Sequence, residues 1–245
     1  MNIGIIGSGA MGRGLAAKLV KLGHAVSIAN SRGPASLEQL AGEIGATAAT
    51  VEESTKNKEV IIIAIPQKNV QDLPKILFKQ LPREVIVMET GNYYPTLRDG
   101  TIKALEEKGI DSLWVQEQWG FPVVKVFNSI LAESLMELGR PKGEKDRIAL
   151  AVSGDNRKAK EVVFKLVDDL GFDAFDIGTI AQSWKQQPGS PIYCRDLNFA
   201  ELKKRVDAMG TDWSEMRSII IGKRIADEAL MKVDYPAYLK GLQAK

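Results

Sequence analysis

Seven short Val- and Ile-rich runs, separated by stretches of helical period, constrain this 245-residue chain more than any other feature. They are Ile3–Gly7, Ala25–Asn30, Val60–Ile65, Val85–Met88, Val123–Phe127, Ile148–Ser153 and Phe172–Ile177. Each is nearly continuous in apolar character, as a strand covered on both faces must be. Between the first two, Met11, Leu15, Leu19 and Leu22 recur at spacings that place them on one helix face. Gly23, Gly45, Gly109 and Gly171 each close a helical run, where a left-handed residue is favoured. Ser36–Gln39 and Thr50–Glu53 have the form of capping boxes. Strands alternating with helices predict an α/β fold, a doubly wound parallel sheet with right-handed crossovers.

The pattern changes near residue 180. Residues 182–194 are polar, carry Pro188, Gly189 and Pro191, and read as a loop, within which the polar, rigid run Gln186–Pro191 either closes over a site or links the sheet to the C-terminal helices. Leu197–Met209 and Ser214–Val233 read as helices without strands between them. We expect residues 1–180 to form the nucleotide-binding domain and residues 181–245 a loop and C-terminal helical appendage, with a homodimer through those helices.

Composition narrows the chemistry. One His and one Cys exclude a disulfide framework and a Cys/His zinc site, so no metal is expected. A net charge of +2 gives no electrostatic case for nucleic acid or a membrane surface. The longest apolar run, Val60–Ile65, is far short of a bilayer span, and no targeting segment is visible, so a cytoplasmic location is expected. His24 lies between the first helix and second strand, at the edge away from any phosphate site, and reads as structural.

Gly7-Ser8-Gly9-Ala10-Met11-Gly12 fits G-x-G-x-x-G, between an apolar strand and an amphipathic helix. In that context the motif means dinucleotide binding by a Rossmann-type fold. Gly7 permits the tight turn, Gly9 lets a pyrophosphate approach the backbone, and Gly12 lets helix and strand pack closely. The second strand ends Asn30-Ser31-Arg32, with no carboxylate before Glu38. A carboxylate there would bond a ribose 2′-hydroxyl, whereas Ser31 and Arg32 suit a 2′-phosphate, so NADP(H) is expected over NAD. Ile65-Pro66-Gln67 and Gly91-Asn92 close the third and fourth strands at the same edge, either beside the cofactor path or as plain strand exits. Lys125 and Asn128 close the fifth. They either orient the hydride acceptor or are an edge lysine and a turn asparagine. Tyr93 and Tyr94 either wall a planar ring or pack. Trp114, Trp119 and Trp184 could form similar walls, though nothing in their spacing says so. No residue is assigned a catalytic role.

The glycine loop, Asn30-Ser31-Arg32, Ile65-Pro66-Gln67 and Val123–Ile130 together resemble the NADP-dependent oxidoreductases typified by NADP:deazaflavin (coenzyme F-420) oxidoreductase. Val124–Asn128, with Ala132 beyond, is also similar to the cytosolic reductase domain of the STEAP metalloreductases. The resemblance implies NADP(H) lying across the glycine loop, its 2′-phosphate on Ser31 and Arg32 and its nicotinamide near Ile65, Pro66 and Ala132. It implies a deazaflavin, FMN or FAD as second redox partner, with direct hydride transfer between the rings. At the position of Asn128 the deazaflavin enzymes carry a histidine, and Asn is the STEAP-like choice; the haem-bearing membrane domain of STEAP proteins has no counterpart. Two other readings are an imine or ketone reductase of the pyrroline-carboxylate or β-hydroxyacid type, and a non-catalytic NADPH-binding redox sensor.

Overall fold

The structure is a computed structural model that describes residues 1–243; the last two residues of the expected appendage lie outside the described residues. Strand β1 (Asn2–Ile6) turns into helix α1 (Ala10–Lys21), and β2 (Ala25–Ala29) returns beside β1. There follow α2 (Glu38–Ile44), β3 (Thr47–Ala48), β4 (Val60–Ile63), α3 (Lys75–Lys79) and β5 (Ile86–Glu89). Next come α4 (Lys103–Lys108), α5 (Asp111–Trp119), β6 (Val123–Lys125) and α6 (Ala132–Glu137). The sheet is completed by β7 (Ala149–Ser153), α7 (Arg157–Asp169) and β8 (Asp173–Gly178). Helices α8 (Phe199–Ala208), α9 (Trp213–Val233) and α10 (Tyr235–Gln243) follow.

The eight strands form one sheet in the order β3-β2-β1-β4-β5-β6-β7-β8. The chain winds outward from β1 in one direction and from β4 in the other, which opens a crevice at the carboxyl ends of β1 and β4. All seven expected strands are present. Two features depart from expectation. β3 adds a two-residue edge strand, too short to show a period. The sheet is also not wholly parallel: β7 meets β6 antiparallel through the single pair Lys125 and Ser153, the last residue of each strand. The carboxyl ends of β6 and β7 therefore meet.

Both faces are covered, as continuous apolar strands require. Leu15, Leu19, Val163 and Leu166 pack on one side of β1, β2, β4 and β6. Phe78, Trp114 and Trp119 pack on the other, with Phe78 and Trp119 stacked at 4.7 Å. Gly45 and Gly109 take the left-handed conformation at helix ends, and Gly23 and Gly171 also have positive φ. Thr50 and Glu53 do form a reciprocal capping box. Ser36 does not; its hydroxyl is drawn to Gly33 and Asn30 instead.

The polar segment before the C-terminal helices departs most from its expected character. Ser183–Gln187 and Ile192–Cys194 are buried, beneath α8 and α9. Trp184 and Ile192 join Ala151, Phe175, Leu202, Val206 and Ile220 in one apolar cluster. Gly189 shows how tight the fit is: its φ is +88°, and a Cβ there would lie 2.2 Å from the Ile220 carbonyl oxygen. Among the described residues no helix is long and apolar enough to cross a membrane.

Candidate functional site

The three glycines of the first turn are required for different reasons. Gly7 has φ +116°, and a Cβ would lie 2.1 Å from the Ala64 carbonyl oxygen. A Cβ on Gly12 would lie 1.9 Å from the carbonyl oxygen of Gly7. Internal packing therefore explains both. Gly9 is extended, with φ −70° and ψ −177°, and a Cβ there would meet nothing within 4 Å. The chain itself does not need glycine at this position; a ligand approaching the backbone would. Gly9 is also the N-cap of α1, with no side chain capping the helix and no carboxylate in its first turn. The positive end of the helix dipole and its free amides face open space, as an anion site demands.

The neighbouring strand ends complete a rim. Asn30 accepts from the Arg32 amide at 2.9 Å and donates to Ser36 at 3.0 Å and to Ser8 at 3.3 Å, tying the exits of β1 and β2 together. Ser31 and Arg32 are exposed, and Arg32 joins none of the ion pairs among the described residues. Ile65 and Pro66 are half-buried at the end of β4, with Ala132 half-buried at the start of α6. Ala10 and Ala132 also line a groove of about 610 Å³ between α1, α2, α6 and α10, which contributes Tyr235 and Leu239.

Behind this rim is a buried ionic cluster. Lys125, fully buried, donates to Glu89 Oε2 at 2.7 Å and to the Gly91 carbonyl. Ser112 donates to the same Glu89 oxygen at 2.7 Å, and the Gly91 amide donates to Glu89 Oε1. Both polar groups of Gly91 are thus held by one ion pair. Gln67, fully buried beside Gly91, has neither end of its amide bonded. Asp111 is buried at the start of α5, and neither carboxyl oxygen accepts a hydrogen bond of ordinary geometry. Burial pushes its pKa up to about 6, against the pull of Lys125 and Arg224.

The expected acceptor-side residues are placed together at this edge, but mostly facing inward. Asn128 is buried, with Nδ2 donating to Asn92 Oδ1 at 3.1 Å and to the Gln186 carbonyl at 2.6 Å; its Oδ1 accepts from Gln186 Nε2 at 2.8 Å. Gln186 Oε1 accepts from Ser153 at 2.7 Å. Tyr93 is fully buried; its hydroxyl accepts from the Ile102 amide at 2.8 Å, and its ring lies under the Arg224 guanidinium. Burial raises its pKa to about 12. Tyr94 is half-buried and pairs its hydroxyl with that of Tyr193. Burial raises both phenol pKa values well above 10. His24 lies outside the site: its Nδ1 is 3.1 Å from the N-terminal ammonium, and burial lowers its pKa. Trp114, Trp119 and Trp184 are core residues and wall no ring site.

Sequence reasoning misses Glu89, Ser112, Asp111 and Arg224, and it names Gln186 only as part of the 186–191 run. Glu89 and Lys125 do carry a signal: opposite charges end two apolar strands that this topology makes neighbours. The others show no local pattern.

Residues 2–93 match the model of the family described as NADP oxidoreductase, coenzyme F420-dependent. The crystal structure of protein SMa0349 from Sinorhizobium meliloti is 30% identical, with a TM-score of 0.64, covering 78% of this chain and 93% of that one. The chain belongs to the NADP oxidoreductase, coenzyme F420-dependent, family. Escherichia coli protein YjhV is 47% identical over 62 residues, 25% of this chain and 45% of that protein. Metalloreductase STEAP3 of Rattus norvegicus is 29% identical over 187 residues, 74% of this chain and 35% of that protein. The chain spans less than half the length of these two curated relatives. The family match ends at residue 93, so it takes in the glycine loop, the Arg32 turn and the Ile65-Pro66 exit but not Lys125 or Asn128. At the level of fold alone, a Pseudomonas imine reductase (17% identical, TM-score 0.50) matches 99% of this chain and 75% of that one, so the likeness extends through α8–α10.

Proposed function

We propose that this chain is an NADPH-dependent oxidoreductase that passes hydride directly between NADP(H) and a planar deazaflavin- or flavin-like acceptor. The observation that carries the cofactor reading is the open space at Gly9, set against an uncapped helix N-terminus. The amides of Ala10, Met11 and Gly12 would hold the pyrophosphate, and Ser31 and Arg32 the 2′-phosphate. NADP(H) supplies a hydride donor or acceptor at its nicotinamide ring. The apolar surfaces of Ile65, Pro66 and Ala132 would keep water from that ring. The Lys125–Glu89 pair fixes Gly91, and the Asn92–Asn128–Gln186 carboxamides fix the loop beyond it, so these residues position the reaction edge from behind. Direct transfer between rings depends on alignment and close approach. This agrees with a site in which no histidine faces the cleft.

A second reading, reduction of an imine, has one observation in its favour: the fold likeness to the imine reductase includes the helical tail. Steady-state NADPH oxidation with deazaflavin, FMN, FAD, ferric chelates and cyclic imines separates them. Turnover with a deazaflavin or flavin is expected. Turnover confined to imines would replace the first reading with the second, and tight NADPH binding without turnover on any acceptor would make the chain a sensor.

A further inference from the structure

Arg98, on the loop that follows β5, is exposed yet fixed. Its side chain is 38% exposed, whereas the Asp99 carboxylate beside it is fully buried. Asp99 accepts from Arg98 Nε at 3.0 Å and from Nη2 at 2.9 Å, a bidentate fork. Nη2 also donates to the Asn92 carbonyl, and the guanidinium lies over the Tyr94 ring at 5.4 Å. Nε and both hydrogens of Nη2 are therefore used, while Nη1 has no partner among the described residues. The loop is held from its far side as well. Glu228 of α9, fully buried, accepts through Oε2 from the Thr96 amide at 2.7 Å, the Leu97 amide at 2.8 Å and the Thr96 hydroxyl at 2.8 Å. The Tyr94 amide donates to Asp99 Oδ2 at 2.8 Å. A surface arginine ordinarily gives up its side-chain freedom when it binds; this one has given it up in advance.

Its place in the sheet says what it faces. The Lys68 amide, at the exit of β4, approaches the same Asp99 carboxylate at 3.4 Å, so the guanidinium stands between the exits of β4 and β5. The inference rests on the cofactor reading above, in which the pyrophosphate lies at the exit of β1 and the 2′-phosphate at the exit of β2. Neighbouring strands are about 4.8 Å apart, which sets β5 about 10 Å from β1 and about 14 Å from β2. Every phosphate of NADP(H) is then already held elsewhere, and its nicotinamide end carries no anion. A cation fixed at the exit of β5 thus addresses the second substrate.

We infer that Arg98, through Nη1, binds a phosphate on the hydride acceptor, so that the preferred acceptor is a planar ring whose side chain carries a phosphate. Arg98 sets specificity and takes no part in the hydride step itself.

FMN and riboflavin differ only in the phosphate, so the pair isolates this contact. Quenching of flavin fluorescence by the full chain, saturated with NADP+, should show FMN binding at least about tenfold tighter than riboflavin. Arg98→Gln should raise the FMN dissociation constant to about that of riboflavin and leave the NADP+ constant where it was. Arg98→Lys keeps a cation beside Asp99 and serves if the glutamine variant folds poorly. Its one nitrogen is taken by that carboxylate, so the preference should fall at least about threefold. Equal binding of the two flavins by the wild type, binding of neither, or an undiminished preference in either folded variant would overturn the proposal. So would an NADP+ constant that rises in step with the FMN constant, which would give Arg98 to the cofactor. NADPH oxidation assays keep this proposal apart from the function it rests on. A phosphate preference in binding, with no turnover of FMN or deazaflavin, removes hydride transfer and keeps the phosphate contact; equal turnover of FMN and riboflavin does the reverse.

Discussion

Arg32 and Gly9 test the cofactor site most directly. Arg32 is exposed and takes no part in the ion pairs among the described residues, so truncating it should leave stability unchanged. A charge-assisted bond to phosphate contributes roughly 1.5–3 kcal/mol, so Arg32→Ala should raise the NADPH dissociation constant about tenfold or more. NADH, which lacks the 2′-phosphate, should bind as before. Fluorescence titration of both nucleotides checks this, and equal losses would remove Arg32 from the phosphate site. Gly9→Val places a branched side chain where the structure has only open space. It should fold normally and bind neither nucleotide; unimpaired binding in calorimetry would refute the pyrophosphate assignment. Asp111 supplies a third test. Its folded pKa of about 6 lies above the unfolded value of 3.8, so the native state holds a proton that the unfolded state releases. Stability from this group is therefore full at acid pH and is lost as pH rises from about 4 through 6, by roughly 3 kcal/mol in all. Asp111→Asn should flatten that slope and raise stability near pH 8, measured by urea unfolding at about pH 5 and about pH 8. A variant with the wild-type slope would show that another group titrates.

Among the elements, the segment between β8 and α8 decides how the sheet and the last helices fit. Gly189→Ala adds a methyl group at positive φ, 2.2 Å from the Ile220 carbonyl oxygen, so α9 or the segment must move. The expected loss is about 3 kcal/mol or more, read as a drop in thermal midpoint, and a variant that melts with wild type would contradict this packing. This is also where sequence reading runs out. The seven strands and the glycine turn are legible because their signals are local: a period of two or 3.6, and glycines at fixed offsets. The 182–194 segment is locally polar, and that polarity is satisfied by partners far along the chain. Gln186 bonds Asn128 and Ser153, and Gln187 bonds Gly109. No window of a dozen residues contains such a pair. The reversal of β7 is hidden for the same reason, since a strand's own sequence does not state its direction. Ser36 has the pattern of a cap, but Asn30 competes for its hydroxyl. At the site, the residue types at the rim are readable. Whether Lys125 and Asn128 face the crevice or the interior is not, because that depends on Glu89 and Gln186 across the sheet.

For the whole molecule, the first 180 residues contain every strand but not a complete surface. Ala151, Phe175 and Ile177 share an apolar cluster with Trp184, Ile192 and residues of α8 and α9, and with Ile110 and Leu197. Burying such side chains contributes on the order of 25 cal/mol per Å² of apolar area, and a chain ending at residue 195 would forfeit most of that cover. The truncated chain should aggregate or bind a hydrophobic dye, and should lose its cooperative melt; a sharp transition would show the sheet to be self-sufficient. The glycine turn, which packs within β1, α1 and β4, is not the part at risk. The helices after residue 195 are thus structural for the sheet, and α10 also brings Tyr235 and Leu239 to the groove lined by Ala10 and Ala132.

The burial of the 182–194 segment also has a consequence in time. Synthesis delivers the nucleotide crevice early and its lateral cover late, so a growing chain passes through lengths at which β8 has emerged but Phe175 is still bare. Stalled nascent chains of such lengths should bind chaperones through that flank and release them once α9 is out. Acquisition of the cofactor and completion of the body would then be separate events in the life of each molecule.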